Sequence, residues 1–164
     1  MILVGLGSNL SSAEFGPPQA ILAAALAALP ALHVDVAARS SWYRCEPVPR
    51  SEQPWFVNAV AALVTALDPA ALLAQLLALE ARFGRVRGTR NAARVLDLDL
   101  LDYSGAVIES EALVLPHPRL HQRRFVLVPL AELAPAWRHP LLGQTADKLL
   151  APLPAGEAVC RLIG

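Results

Sequence analysis

Arg94-Val95-Leu96-Asp97-Leu98-Asp99-Leu100-Leu101 alternates leucine with aspartate. Period-two alternation marks a strand with one buried face. On such a strand both carboxylates point to the same side, ~6.6 Å apart along the chain, while the leucines pack on the other. Like charges at that separation repel and raise each other's pKa. A cation removes the cost, and Mg²⁺ favours one or two carboxylates supplemented by waters and substrate phosphates. On pattern alone, two acids on an outward strand face are more often solvated than liganded. Immediately upstream, Arg82, Arg85, Arg87, Arg90 and Arg94 occur with no acid among them. A solvated loop is the commoner meaning of such a run, but the bias to arginine suits bidentate contact with phosphate. Together the two stretches suggest one site holding metal and phosphate.

Outward from this stretch, the order of elements decides the fold class. Met1 to Leu6 is a short apolar run ended by Gly5-Leu6-Gly7-Ser8-Asn9-Leu10, which lacks both GxGxxG and the Walker lysine. Residues 19 to 29 are Ala/Leu-rich and helical by propensity, with Pro17-Pro18 ahead and Pro30 behind. Residues 33 to 43 read as a second strand and the proline-rich 45 to 55 as a loop. Phe56 to Thr65 reads as a third strand carrying the polar Asn58. Asp68-Pro69 is an N-cap and first helical position, opening a helix to Phe83 that Gly84 ends. The aspartate strand is the fourth. This βαββαβ order predicts an α+β, ferredoxin-like core: an antiparallel sheet with helices on one face, plus a C-terminal extension. Further on, Pro116-His117-Pro118 is a non-helical corner. A helix is expected over 123 to 133, broken at or starting from Pro129, and another near 146 to 150.

Composition excludes several classes. The 164 residues suit one domain, residues 1–164, and 55% hydrophobic residues against 17% charged argue against disorder. No apolar run reaches membrane-spanning length, and the N-terminus lacks a basic leader segment, so neither membrane nor export is expected. Zero formal net charge argues against a nucleic-acid-coating role. Cys45 and Cys160 have no metal-ligand spacing, and two free thiols in a reducing, cytoplasmic setting are expected.

These segments, in this order, resemble the 6-hydroxymethyl-7,8-dihydropterin pyrophosphokinases of folate synthesis. The resemblance runs through Gly7-Ser8-Asn9, Ser41-Trp42-Tyr43, Glu46-Pro47-Val48, Gln53-Pro54-Trp55-Phe56-Val57-Asn58, Phe83-Gly84-Arg85, the Arg94 to Leu101 signature, Leu115-Pro116-His117-Pro118-Arg119 and Arg123-Arg124-Phe125. It covers roughly residues 1 to 135. It implies pyrophosphate transfer from the co-substrate ATP to a pterin alcohol, yielding AMP, in a monomer with two Mg²⁺ ions. Asp97 and Asp99 are implied as metal ligands, and Arg85 and Arg94 as the catalytic arginines at the phosphates. Phe56 and Phe125 are implied as stacking aromatics, with Asn58 reading the pterin edge and backbone near Cys45 and Val48 completing that side. Gln75, Glu80, Arg87, His117 and Arg123 are implied on the ATP side. Where the family usually reads Trp-Gly-Pro, this chain has Asn91-Ala92-Ala93. The alternative is a non-catalytic or altered-specificity pterin- and nucleotide-binding paralogue of the same fold.

Overall fold

The computed structural model describes residues 1–85, 88, 92–154 and 160–163. Its strands are β1 (Ile2–Ser8), β2 (Asp35–Arg39), β3 (Trp42–Cys45), β4 (Phe56–Val64), β5 (Asp97–Tyr103), β6 (Ile108–Glu109), β7 (Val114–Leu115) and β8 (Cys160–Ile163). Its helices are α1 (Pro18–Ala28), α2 (Pro69–Arg82), α3 (Arg124–Leu133) and α4 (Ala146–Leu150). The main sheet runs β5-β1-β4-β3-β8, with β2 also on β4, and every pairing is antiparallel. The single strand expected over 33 to 43 is two, because Ser40 leaves the ladder: its hydroxyl accepts from Val60 N at 3.1 Å and its amide donates to Val60 O.

Helix α2 starts as its sequence dictates. Asp68 Oδ1 accepts from Ala71 N at 2.8 Å, Pro69 follows, and Gly84 turns the chain away at φ +84°. Helix α3 is continuous through Pro129, with no break or restart there.

The two faces of the sheet are covered differently. Even-numbered residues of β1 and β5 (Val4, Leu6, Leu98, Leu100) join Ala59 and Ala61 of β4 against the leucines of α1 and α2. On the opposite face, Leu3, Val60, Ala62 and Leu101 are covered by Val126, Leu127 and Leu130 of α3 and Leu149 of α4. Helices therefore lie on both faces, and the expectation of one helical face holds for α1 and α2 only. The extension after β5 folds back because one end of the second face is still apolar. The other end carries Gly7, Asn58, Asp97 and Asp99, and it stays uncovered. No described helix is long and apolar enough to cross a membrane.

The two cysteines are not free thiols. Strand β8, absent from the sequence reading, adds to the edge of β3 in a register that sets Cys160 opposite Cys45, and the two form a disulfide with Cα atoms 4.1 Å apart. The bond closes a loop of 115 residues, and constraining so long a loop in the unfolded chain stabilises by up to about 5 kcal/mol on chain entropy. Reduction with dithiothreitol should lower the melting temperature of the wild type and leave that of Cys160→Ser unmoved. Equal melting with and without reductant would show that the bond is absent in solution.

Beyond the sheet, His139 is 4% exposed, and its Nδ1 accepts from Leu141 N and Leu142 N at 3.2 and 3.3 Å. Burial, and then His121 facing the ring, hold its pKa below the ordinary value against an opposing pull from Asp102. The unfolded chain thus binds the proton more readily. Stability is fully present above about pH 6.5 and falls as pH drops through the lower folded value. His139→Asn retains an acceptor that does not titrate, so denaturant melts at pH 7 and pH 5 should show a smaller acid loss than in the wild type.

Candidate functional site

The open end of the second face is the floor of a cavity of about 660 Å³, within the range of small-molecule sites. Gly7 makes the floor flat. A Cβ there would lie 3.0 Å from Asn58 Nδ2, with Phe56 and Asp97 in ordinary contact at 3.8 Å, so a side chain would push on the Asn58 amide. Phe56, Phe125, Pro47 and Val48 line one part of the cavity. Asn58, 6% exposed, donates from Nδ2 to Leu6 O at 3.3 Å, while its buried Oδ1 has no partner among the described residues. An orphaned buried acceptor costs about 1–3 kcal/mol, a cost that a ligand N–H recovers.

The charged part lies on β5 and the segments flanking it. Asp97 is held at both oxygens: Arg85 Nη1 donates to Oδ1, and Arg94 Nη1 to Oδ2 at 2.9 Å. Arg85 Nη1 also donates to Glu80. Asp99 Oδ2 accepts from Arg123 Nη1 at 2.8 Å, and that guanidinium lies 5.5 Å from the Phe125 ring centre. Burial, followed by the charge of Asp99, pushes the Asp97 carboxyl up, and Arg94 and Arg85 oppose the rise. His117 Nδ1 accepts from Arg119 N at 3.1 Å, so its neutral ring carries the proton on Nε2. Burial holds its pKa down, Asp99 pulls the other way, and Arg123 and Arg119 add to the depression.

The described residues contain no group of three His, Cys, Asp or Glu able to hold a metal. Asp97 and Asp99, two carboxylates on one strand face, are the donors that a metal could use here. They fit Mg²⁺, which completes its octahedron with waters and phosphate oxygens, and do not fit a closed zinc site.

Most of the residues expected from the sequence meet here. Val48, Phe56, Asn58, Phe125, Glu80, Arg85, Arg94, Asp97, Asp99, His117 and Arg123 all line the one cavity. Arg87 lies outside the described residues. Cys45 is fully buried in its disulfide and does not line the cavity. Gln75 is not on the cavity either. Leu73, Leu77 and Glu80 face it at i, i+4 and i+7, and Gln75 lies about 200° round the helix from Leu73. Glu80 itself is 2% exposed, and its carboxylate is taken by Leu98 N at 2.6 Å and by Arg85. The sequence reading also passed over residues 111–114, which wall the cavity beside His117, and Asn9, which is 2% exposed. The apolar stripe of α2 was a signal for Glu80, since Leu72, Leu76 and position 80 share one helical face.

The family model described as 7,8-dihydro-6-hydroxymethylpterin-pyrophosphokinase (HPPK) matches residues 3–135. A Methylorubrum extorquens protein named 2-amino-4-hydroxy-6-hydroxymethyldihydropteridine pyrophosphokinase is 46% identical over 157 residues, 93% of this chain and 94% of that protein. A Pseudomonas aeruginosa protein of the same name is 42% identical over 164 residues, covering 99% of this chain and 97% of its own. Among solved structures, a Plasmodium falciparum HPPK-DHPS triple mutant superposes with a TM-score of 0.64 at 13% identity. That match covers 92% of this chain but 41% of the other, and it bears on the fold alone.

Proposed function

The chain belongs to the 7,8-dihydro-6-hydroxymethylpterin-pyrophosphokinase family, and from that premise we propose how its residues divide the work. The reaction is pyrophosphoryl transfer from ATP to hydroxymethyldihydropterin in folate synthesis. We infer that Phe56 and Phe125 hold the pterin ring between apolar surfaces. The orphaned Asn58 Oδ1 accepts from a pterin N–H. Asp97 and Asp99 would hold two Mg²⁺ ions, which when bound would supply charge neutralisation and alignment for the triphosphate.

Arg85 and Arg94 then have a second task. With no cation present they neutralise Asp97. Arg85 and Arg94 are the guanidiniums placed to pair with the phosphates and would stabilise charge as it moves to the departing AMP. His117 donates from Nε2 to a phosphate oxygen, and Arg123 pairs with the nucleotide in the same region. No covalent nucleophile is needed, since positioning and charge stabilisation carry phosphoryl chemistry. We further propose a monomer in which residues 1–164 act as one pyrophosphokinase unit; the disulfide removes the free-thiol argument for a reducing, cytoplasmic setting. The β5-β1-β4-β3 order of antiparallel strands, with α1 and α2 on one face, supports the ferredoxin-like reading of the core.

One observation carries this reading. A buried, unsatisfied amide oxygen and a two-carboxylate, three-arginine cluster share a single cavity. Incubation with ATP and 6-hydroxymethyl-7,8-dihydropterin should yield AMP and the pterin pyrophosphate in the presence of Mg²⁺ and none in excess chelator. Formation of ADP would overturn the pyrophosphoryl assignment, and full turnover in chelator would overturn the metal assignment.

A further inference from the structure

Asn9 joins the two halves of the cavity without lining it. Its Oδ1 accepts from Arg94 N at 2.8 Å. Its Nδ2 donates to Pro54 O at 3.0 Å and to Gln53 Oε1 at 3.2 Å. The backbone adds to this: Asn9 N and Leu10 N both donate to Arg94 O, at 3.1 and 3.3 Å. Both backbone polar groups of Arg94 are therefore bonded to residues 9 and 10. Its guanidinium, on Asp97, extends from a fixed base. Pro54 stands two residues before Phe56 and four before Asn58, where the proline-rich loop becomes β4. One buried side chain thus ties the end of β1, the root of the pterin wall and the backbone of the phosphate-side arginine.

The chemistry of the side chain accounts for asparagine here. Arg94 presents an N–H and Pro54 a carbonyl, so the linking group must accept on one side and donate on the other. A carboxamide does both from one planar group. Aspartate has only acceptors, and alanine offers neither. The site has little water to substitute, because Asn9 is 2% exposed and a buried group left unpaired is costly.

We propose that Asn9 is a positioning residue for the transfer reaction. It holds Arg94 and the Phe56–Asn58 wall in one mutual geometry, so that the pterin hydroxymethyl oxygen lies in line with the phosphorus that Arg94 serves. It touches neither substrate. The inference rests on the pyrophosphokinase reading above, and the two can fail separately.

The test is steady-state AMP formation by the full chain, with kcat and both KM values resolved, alongside thermal melts. Asn9→Asp retains the bond to Arg94 N and sets an oxygen against Pro54 O. It should raise the pterin KM about tenfold, with kcat and the ATP KM within about threefold of wild type. Gln53→Ala, which shortens the same arm, should move the pterin KM in the same direction and less. Asn9→Ala frees Arg94 as well and should lower kcat by a further factor of about ten. A purely structural asparagine would show lower melting temperatures with kcat and KM unchanged in all three variants, and that result would overturn the proposal. So would Asn9→Asp losing kcat as deeply as Asn9→Ala. If Asn9→Ala does not fold, Asn9→Asp and Gln53→Ala still decide the pterin arm.

Should the wild type make no AMP, the pyrophosphokinase reading fails by itself. Calorimetric titration with 6-hydroxymethylpterin and with α,β-methylene-ATP then decides the positioning claim. Weaker pterin binding in Asn9→Asp with unchanged nucleotide binding supports it, and unchanged binding of both overturns it.

Discussion

Asp97→Asn lowers kcat by at least about a thousandfold, and the purified protein still folds. The expectation follows from what Asp97 holds. Its two oxygens take Arg85 and Arg94, and the same two oxygens are the ones proposed to hold a divalent cation. An amide offers one oxygen and no charge, so both the metal platform and the anchor for the guanidiniums are lost together. The cost to folding is small by comparison. Asp97 is partly open, with its side chain 20% exposed. Arg85 retains Glu80, and removing one charge relieves the repulsion from Asp99 that raises the Asp97 pKa. About 1–3 kcal/mol of stability is at stake for a pair that is mostly buried and partly screened. AMP formation at saturating substrates and a denaturant melt measure the two effects separately. Turnover within tenfold of wild type would remove the metal assignment. Asp99→Asn should lose less, because Asp99 takes a single arginine and its side chain is 32% exposed.

The aspartate strand was legible because its signal is local. Alternation needs only neighbours, and the structure shows Leu98 and Leu100 inward with Asp97 and Asp99 on the opposite face. The N-cap at Asp68 and the Gly84 stop were legible for the same reason. What escaped were contacts set by distant chain. Strand β8 is four residues long with two of them exposed, and it exists because β3 offers an unpaired edge. Cys45 and Cys160 meet only through that register, so their spacing carried no sign of the disulfide. Gln75 was misplaced by the rotation of one helix, a quantity fixed by how α2 packs on β5. Asn9 looked like a turn residue because its partners lie 44 to 85 residues away. The proline-rich stretch over 45 to 55 was read correctly as a loop, the arginine segment lies partly outside the described residues, and the link between Pro54 and Arg94 was in neither.

The second large effect belongs to Glu80, a carboxylate buried at the end of an apolar helix face. Glu80→Ala should destabilise the fold by about 3 kcal/mol, since it strands the buried Leu98 N–H and leaves a void beneath β5. It should also lower kcat by about tenfold to a hundredfold, because Arg85 loses one of the two carboxylates that fix it and rests on Asp97 alone. Glu80→Gln separates the two roles, as its amide oxygen still accepts from Leu98 N while the charge is gone. The pH dependence then isolates the charge. Burial raises the Glu80 pKa from an ordinary 4.5 to about 7, against the bond from Leu98 N and the charge of Arg85. Between those values the native state binds a proton that the unfolded chain does not. Stability from this group is fully present below about pH 4.5 and is lost as pH rises through about 7. Denaturant melts at pH 5 and pH 8 should therefore show the wild type losing ground relative to Glu80→Gln on going to the higher pH. Asp97 is also raised and has the same sign, and it is coupled to Glu80 directly and through their shared Arg85, so the same pair of melts in an Asp97→Asn background isolates the Glu80 share. Parallel pH curves would mean that Glu80 is ionised alike in both states, held by Arg85 against its burial. An unchanged kcat in Glu80→Ala would mean that Asp97 alone suffices to place that arginine.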